Sequence, residues 1–449
     1  MKRRLRTAFL TALAAVAVTS ATPVRASRPE VTRTTLDNGL RLVLSEQPAV
    51  PIVSIDCLVD GGARVDPTAR PGLAALTGAL LEEGTQGRSG QDIAKQIDSL
   101  GGSFSTGSAT DWVSAGASVL SRDFTTGVDL VARSLREPTF PEEAVERLRA
   151  DTLGEIQASE EHPGYVASRG FRSALFGAAP YGHPAHGTAE SVEAITRAEI
   201  LGYHANWIVP ERTICAIVGD VKPERMEEVA RKKLGSWKRG KAPPEPKPAT
   251  PPPARERIID MPTTQANIVI GQIGVDRKNP DFFAIRVMNH ILGGGGFQSR
   301  LVDTVRDENG LAYSIHSSFG SNRLPGAFQV SLQTKVESAK AAIDLVRAEI
   351  TKIHDEGVTQ EELEAAQDYL TGNFPLGLDS TSKLTSFLAQ IEYFGLGDDY
   401  IETYGDRIRA VTAADVADAA RTYLHPDALV QVVVGPEAEL TAQGLRSSP

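Results

Sequence analysis

AITRAEILGYHANWIVPERTICAIVGD (194–220) and AVTAADVADAARTYLHPDALVQVVVGP (410–436) are two copies of one unit. Ile195 matches Val411, Thr196 matches Thr412, Pro210 matches Pro426 and Gly219 matches Gly435, at a constant offset of 216. Each copy reads as a capped helix, a proline turn and a buried strand ending in glycine. A second pair agrees at offset 218. The helix after Pro141 carries Val145, Leu148, Thr152 and Ile156; the helix after Thr359 carries Leu363, Ala366, Leu370 and Phe374. Thr359 and Glu362 form a capping box. Two copies with a period above 200 residues mean a duplicated domain rather than a solenoid.

The boundary between the copies is compositional. Residues 238–257 read KRGKAPPEPKPATPPPARER, and seven of the eleven residues from Pro243 to Pro253 are proline. Such a segment is extended and stays out of sheet and helix interiors. It predicts a linker between an N-terminal domain at 27–237 and a C-terminal domain at 258–449. Candidate strands are Leu40–Leu44, Ile52–Val59, Trp112–Val119 and Thr213–Val218, then Ala266–Ile273, Ala312–Phe319, Ala327–Gln333 and Val430–Val434. Long amphipathic helices, such as Ser121–Ser134 and Ser338–Asp355, lie between them. The expected fold is α+β, with two homologous domains, each a mainly antiparallel sheet with helices packed on one face.

Residues 1–26 read as a secretory signal peptide. A basic stretch, Lys2–Arg6, precedes a short apolar run, Ala8–Val18, too short for an ordinary membrane span. The expected location is periplasmic. The chain holds 47 basic and 57 acidic residues, a formal charge of −10, which argues against nucleic-acid or anionic-membrane partners. Hydrophobic content of 41% excludes wholesale disorder. Cys57 and Cys215 lie in strand-like runs; the expectation is two buried free thiols, although an exported protein permits a disulfide. Ser380-Thr-Ser-Lys383 lacks the companion motifs of penicillin-recognising enzymes and reads as a helix start with a surface lysine.

LDNGLRLVLSE (36–46), GLAALTGALLEEGT (72–85), IDSLGGSFSTGSATDWV (97–113), FPEEAVERLRADTLGEIQ (140–157), LGGGGFQSRL (292–301) and VRDENGLAYSIHSSF (305–319) occur in one order along the chain. Together they resemble the insulinase/pitrilysin zinc peptidases, and within them the two-subunit branch that includes mitochondrial processing peptidase. Catalytic members carry H-x-x-E-H on the first long helix, with both His as zinc ligands and the Glu as general base. Here those positions fall on Ala75, Gly78 and Ala79. Glu155 matches the third ligand as a relic.

The resemblance therefore implies a chain that binds no cofactor itself. It implies a non-catalytic subunit whose two domains form one half of a clamshell, closed by a zinc-bearing catalytic subunit of the same family. Arg306 and Tyr313 match the residues that such a subunit lends to the partner's site. Gly293, Gly294, Gly295 and Gly296 match the position of a glycine-rich substrate-binding loop. The implied function is positioning of a peptide for metalloendopeptidase cleavage, with self-pairing as a homodimer when the chain is isolated. The alternative is a catalytically dead scaffold or peptide-binding protein of the same fold.

Overall fold

The structure is a computed structural model that describes residues 29–240 and 243–447. The signal peptide expected at 1–26 lies outside the described residues. Twelve strands form two six-stranded sheets. The first sheet contains Thr32–Thr35 (β1), Arg41–Glu46 (β2), Ile52–Asp60 (β3), Ser103–Ser108 (β4), Trp112–Leu120 (β5) and Thr213–Gly219 (β6), in the order β1-β2-β6-β3-β5-β4. The second contains Arg255–Asp260 (β7), Gln265–Ile273 (β8), Val275–Asp276 (β9), Ser314–Asn322 (β10), Pro325–Lys335 (β11) and Val430–Gly435 (β12), in the order β7-β12-β8-β11-β10-β9.

The duplication is visible in this order, because β2-β6-β3-β5-β4 corresponds to β7-β12-β8-β11-β10. In each sheet one pair within this shared set is parallel, β2 with β6 and β7 with β12, and the others are antiparallel. Five helices of the first half have counterparts in the second. They are Leu73–Leu80 (α1), Phe124–Arg136 (α2), Glu142–Glu160 (α3), Pro163–Phe176 (α4) and Arg197–Trp207 (α5). The counterparts are Phe282–Asn289 (α6), Ala339–Glu356 (α7), Gln360–Asn373 (α8), Thr381–Phe394 (α9) and Ala413–Tyr423 (α10). Capping boxes at Thr196/Glu199 and Thr412/Asp415 start the counterparts α5 and α10, and Thr359/Glu362 starts α8, whose counterpart α3 begins at Pro141 without a side-chain cap. Ser380 caps α9, and Lys383 pairs with Asp379 at 2.8 Å, so the S-x-x-K sequence is a helix start.

The helices of each half cover one face of its own sheet. On the opposite face the halves exchange one helix each. α9 of the second half packs across β3 and β6, and α4 of the first packs across β8 and β12. Leu58, Ile214 and Val218 consequently share a core with residues of the second half, and Phe171 and Leu175 share one with Val430 and Val432.

Two expectations are corrected. Cys57 and Cys215 are joined by a disulfide, not free thiols. They are register partners on antiparallel β3 and β6, with Cα atoms 4.0 Å apart, as in a non-hydrogen-bonded pair whose side chains meet. Separate strand patterns did not reveal that the two strands are neighbours. The linker also ends earlier than expected: residues 255–257 already belong to β7, a parallel edge strand beside β12.

A buried charge cluster ties linker and halves together. Arg64, with a fully buried side chain, pairs with Asp60 at 2.6 Å and with Glu245 of the proline segment. Its Nε lies 3.4 Å from Asp111 without hydrogen-bond alignment. Arg212 binds the same Asp60 and Glu245. From the second half, the Tyr393 hydroxyl donates to Asp60 at 2.8 Å, and the Arg323 amide donates to Asp111 at 3.0 Å. The Tyr181 hydroxyl donates to Asp111 and accepts from the Leu324 amide. The proline segment is thus anchored at Glu245.

Candidate functional site

α1 begins at a carboxylate. The two Asp66 oxygens accept the Gly72 and Ala74 amides, each at 2.8 Å. Burial pushes this carboxyl up to about 8, against the pull of the amide donors toward its charged form. Ala75 and Ala79 are half-buried, and Gly78 is buried. A Cβ on Gly78 would stand 2.6 Å from the carbonyl carbon of Gly107 in β4 and 2.7 Å from its oxygen. The strand has closed on the helix where a general base would project. Beyond the helix, Glu82 accepts the Thr106 amide at 3.2 Å, and Glu83 pairs with Arg147. Burial, and secondarily the charge of Glu83, raise the Glu82 pKa. Glu155, on α3, is exposed. Among the described residues no three His, Cys, Asp or Glu side chains converge as a metal site needs.

The second-half candidates lie on the successive segments between α6 and β10. After α6, His290 stacks on Tyr369 with ring centres 4.8 Å apart, and burial lowers its pKa. The glycine run follows. A Cβ on Gly293 would meet Leu301 and Ser317 at 2.7 Å, so this glycine is needed for close packing and is buried. Gly294 and Gly295 lie against Asn289 and His290, whereas Gly296, at φ +60°, has open space. Gly294 and Gly296 are exposed.

Phe297 stands directly after this run and is 75% exposed. The Arg306 guanidinium lies 5.0 Å from the centre of the Phe297 ring, with only a loose 3.9 Å contact to Asp307. Gly310, at φ +61°, ends the helical segment Val302–Glu308, and Tyr313 leads into β10. Tyr313 is 81% exposed. β10 pairs with β11 on one side; on the other, β9 reaches only Ser321–Asn322, leaving Ser314–Phe319 without a strand partner, although the Asn289 side chain donates to the Ser317 carbonyl at 3.4 Å.

Phe297 was not among the residues expected from the sequence. The available signal was a bulky aromatic side chain immediately after four glycines, where it has no strand or helix face to bury it. Guanidinium, phenol and exposed glycine backbone can all donate hydrogen bonds to carbonyl oxygens. None of them can activate water by itself.

Comparison with known proteins gives a consistent picture. Residues 41–189 match the family described as insulinase (Peptidase family M16), and residues 194–370 match its partner domain, described as the peptidase M16 inactive domain. A Mycobacterium tuberculosis protein named an uncharacterized zinc protease is 31% identical over 408 residues, covering 90% of this chain and 92% of that protein. A Helicobacter pylori protein named non-peptidase homolog YmxG is 24% identical over 394 residues, covering 88% and 91%. Among solved structures, a peptidase M16 inactive domain from Pseudomonas fluorescens superposes with a TM-score of 0.86 at 29% identity, covering 90% of this chain and 98% of that one.

Proposed function

Because this chain belongs to the insulinase family (Peptidase family M16) as a non-catalytic member, we propose that it is the substrate-positioning subunit of a heterodimeric, exported zinc metallopeptidase. Members of this family commonly work in pairs. The partner would be a catalytic subunit of the same family carrying H-x-x-E-H and zinc. One observation carries the reading. The positions that match H-x-x-E-H hold Ala75, Gly78 and Ala79, while Tyr313 is exposed and Arg306 half-buried against Phe297, beside a strand edge that no other strand pairs with over Ser314–Phe319. An open edge can hydrogen-bond an extended peptide, and an arginine fork with a phenol can hold its carbonyls or a developing oxyanion. The Cys57–Cys215 disulfide supports export to an oxidising compartment such as the periplasm.

The test is reconstitution. The chain is purified from the native periplasm with whatever zinc protein accompanies it, and chelator-sensitive cleavage of a mixed peptide library is followed. Arg306→Ala and Tyr313→Phe should each lower turnover by roughly a hundred- to a thousandfold, as expected for losing one hydrogen-bond donor at a reacting centre. Unchanged kinetics in both variants would remove these residues from the site. A zinc-free, inactive self-assembly would leave the scaffold or peptide-binding alternative.

A further inference from the structure

The helix exchange builds two pockets, one on each sheet. One, of about 250 Å³, lies where α9 crosses β3, β5 and β4; the other, of about 290 Å³, lies where α4 crosses β8, β11 and β10. The residues lining one correspond position by position to those lining the other. The cross-strand row Asp56–Gly116–Ser105 corresponds to Val269–Ser331–His316. Ser386 on α9 corresponds to Ser168 on α4 at the same offset of 218. Duplication has kept both cavities and changed their chemistry. The second is lined by three amides, three serine hydroxyls and one imidazole, with no carboxylate. The first is lined by hydroxyls around a single carboxylate.

That carboxylate lacks a counter-ion. Asp56 accepts the Ser386 hydroxyl at 2.7 Å, and among the described residues no lysine or arginine pairs with it. Asp60, Asp129 and Glu362 are by contrast paired with Arg64, Lys233 and Arg300, and the unpaired Asp66 and Glu82 are held by backbone amides, which Asp56 is not. Burial raises the Asp56 pKa, with the Ser386 hydroxyl pulling it back in part. A carboxylate desolvated without a cation costs stability, and groups held in that condition cluster at functional sites. An ammonium has three hydrogens to donate. Asp56 can accept one, and pocket hydroxyls such as Ser54, Ser105 and Ser118 offer further acceptors.

We infer that the Asp56 pocket is a subsite for one cationic side chain, the ammonium of lysine or the guanidinium of arginine, on a peptide lying against the first sheet. This rests on the reading that the chain handles peptides, but it uses neither a partner nor Arg306 and Tyr313. The Val269 pocket, alike in build and without the charge, should show no such preference.

The experiment uses the full exported chain with its disulfide intact. The probes are capped alanine–glycine octapeptides with one central lysine, arginine, norleucine or glutamate, and binding is read by titration and by backbone NMR shifts. The lysine and arginine peptides should bind about tenfold more tightly than the norleucine peptide, the scale of one charge-assisted hydrogen bond. Shifts should centre on 54–56 and 382–386 rather than 267–269 and 164–168. Asp56→Asn keeps an acceptor for Ser386 and should abolish the preference without weakening norleucine-peptide binding.

Equal binding of lysine and norleucine peptides by the unmodified chain, or an undiminished preference in Asp56→Asn, overturns the inference and leaves the positioning function standing. Shifts that centre on the Val269 pocket also overturn it, whether or not Asp56→Asn folds. Failure of every peptide to bind removes both the inference and the peptide-handling premise. Unchanged partner kinetics in the Arg306 and Tyr313 variants would touch only the proposed function.

Discussion

Replacing Arg64 with methionine is expected to lower the unfolding free energy by about 3–5 kcal/mol, the range for removing one partner from a buried ion cluster. The apolar stem is kept, so the loss comes from charge. Asp60 would retain Arg212 and the Tyr393 hydroxyl, but Asp111 would lose its nearest cation while still facing Asp60. The pH dependence has a definite sign. Burial already holds the Asp111 pKa above the ordinary carboxylate value, and Arg64 pulls it down. Without Arg64 the folded-state pKa rises further. A carboxyl raised on folding binds its proton more tightly in the folded state, so its contribution is present at low pH and lost as pH rises through the folded value. Urea unfolding at pH 5 and pH 8 should therefore show the larger deficit at pH 8. A deficit under about 1 kcal/mol at both would mean the cluster contributes no more than a surface pair.

The second large effect is a failure of restoration. Ala75→His, Gly78→Glu and Ala79→His together recreate H-x-x-E-H, yet the triple variant should neither bind zinc nor cleave peptides. It should also be destabilised by about 3 kcal/mol or more. A side chain at Gly78 must displace the backbone of β4 at Gly107, and overpacking alone costs roughly 1–3 kcal/mol. Burying the glutamate without a partner adds to that cost. Zinc titration, a chelator-sensitive peptide assay and urea unfolding measure the three parts. Zinc-dependent cleavage at parental stability would show that the strand yields easily and that the loss of the site was chemical alone.

Much of the architecture was legible because duplication left a measurable offset. The paired strands ending at Gly219 and Gly435, and the paired helices that α5 and α10 proved to be, followed from matched residues. The missed strands were short or at sheet edges. Ser103–Ser108 is a run of serine, threonine and glycine with one Phe, and Arg255–Asp260 begins in charged residues directly after the prolines. Neither has the apolar alternation that marks a half-buried strand. The helix exchange was not legible, because amphipathicity identifies which face of a helix is apolar but not which sheet it meets. The disulfide was hidden for the same reason. At the candidate site, the resemblance to the family's H-x-x-E-H stretch assigned Ala75, Gly78 and Ala79. The approach of Gly107 to Gly78 is a distance between elements that no local pattern encodes.

The exchange of α4 and α9 also bears on ancestry and on biosynthesis. Two half-length chains lending each other one helix would form a domain-swapped homodimer with these same contacts, and a single proline-rich tether turns that dimer into one polypeptide. The fused molecule inherits an order of events. While residues 381–394 are still unmade or untranslocated, the first sheet has one bare face and is unfinished. A chain so arranged keeps that face open until the residues from 381 onward arrive, so its two halves cannot finish folding one after the other.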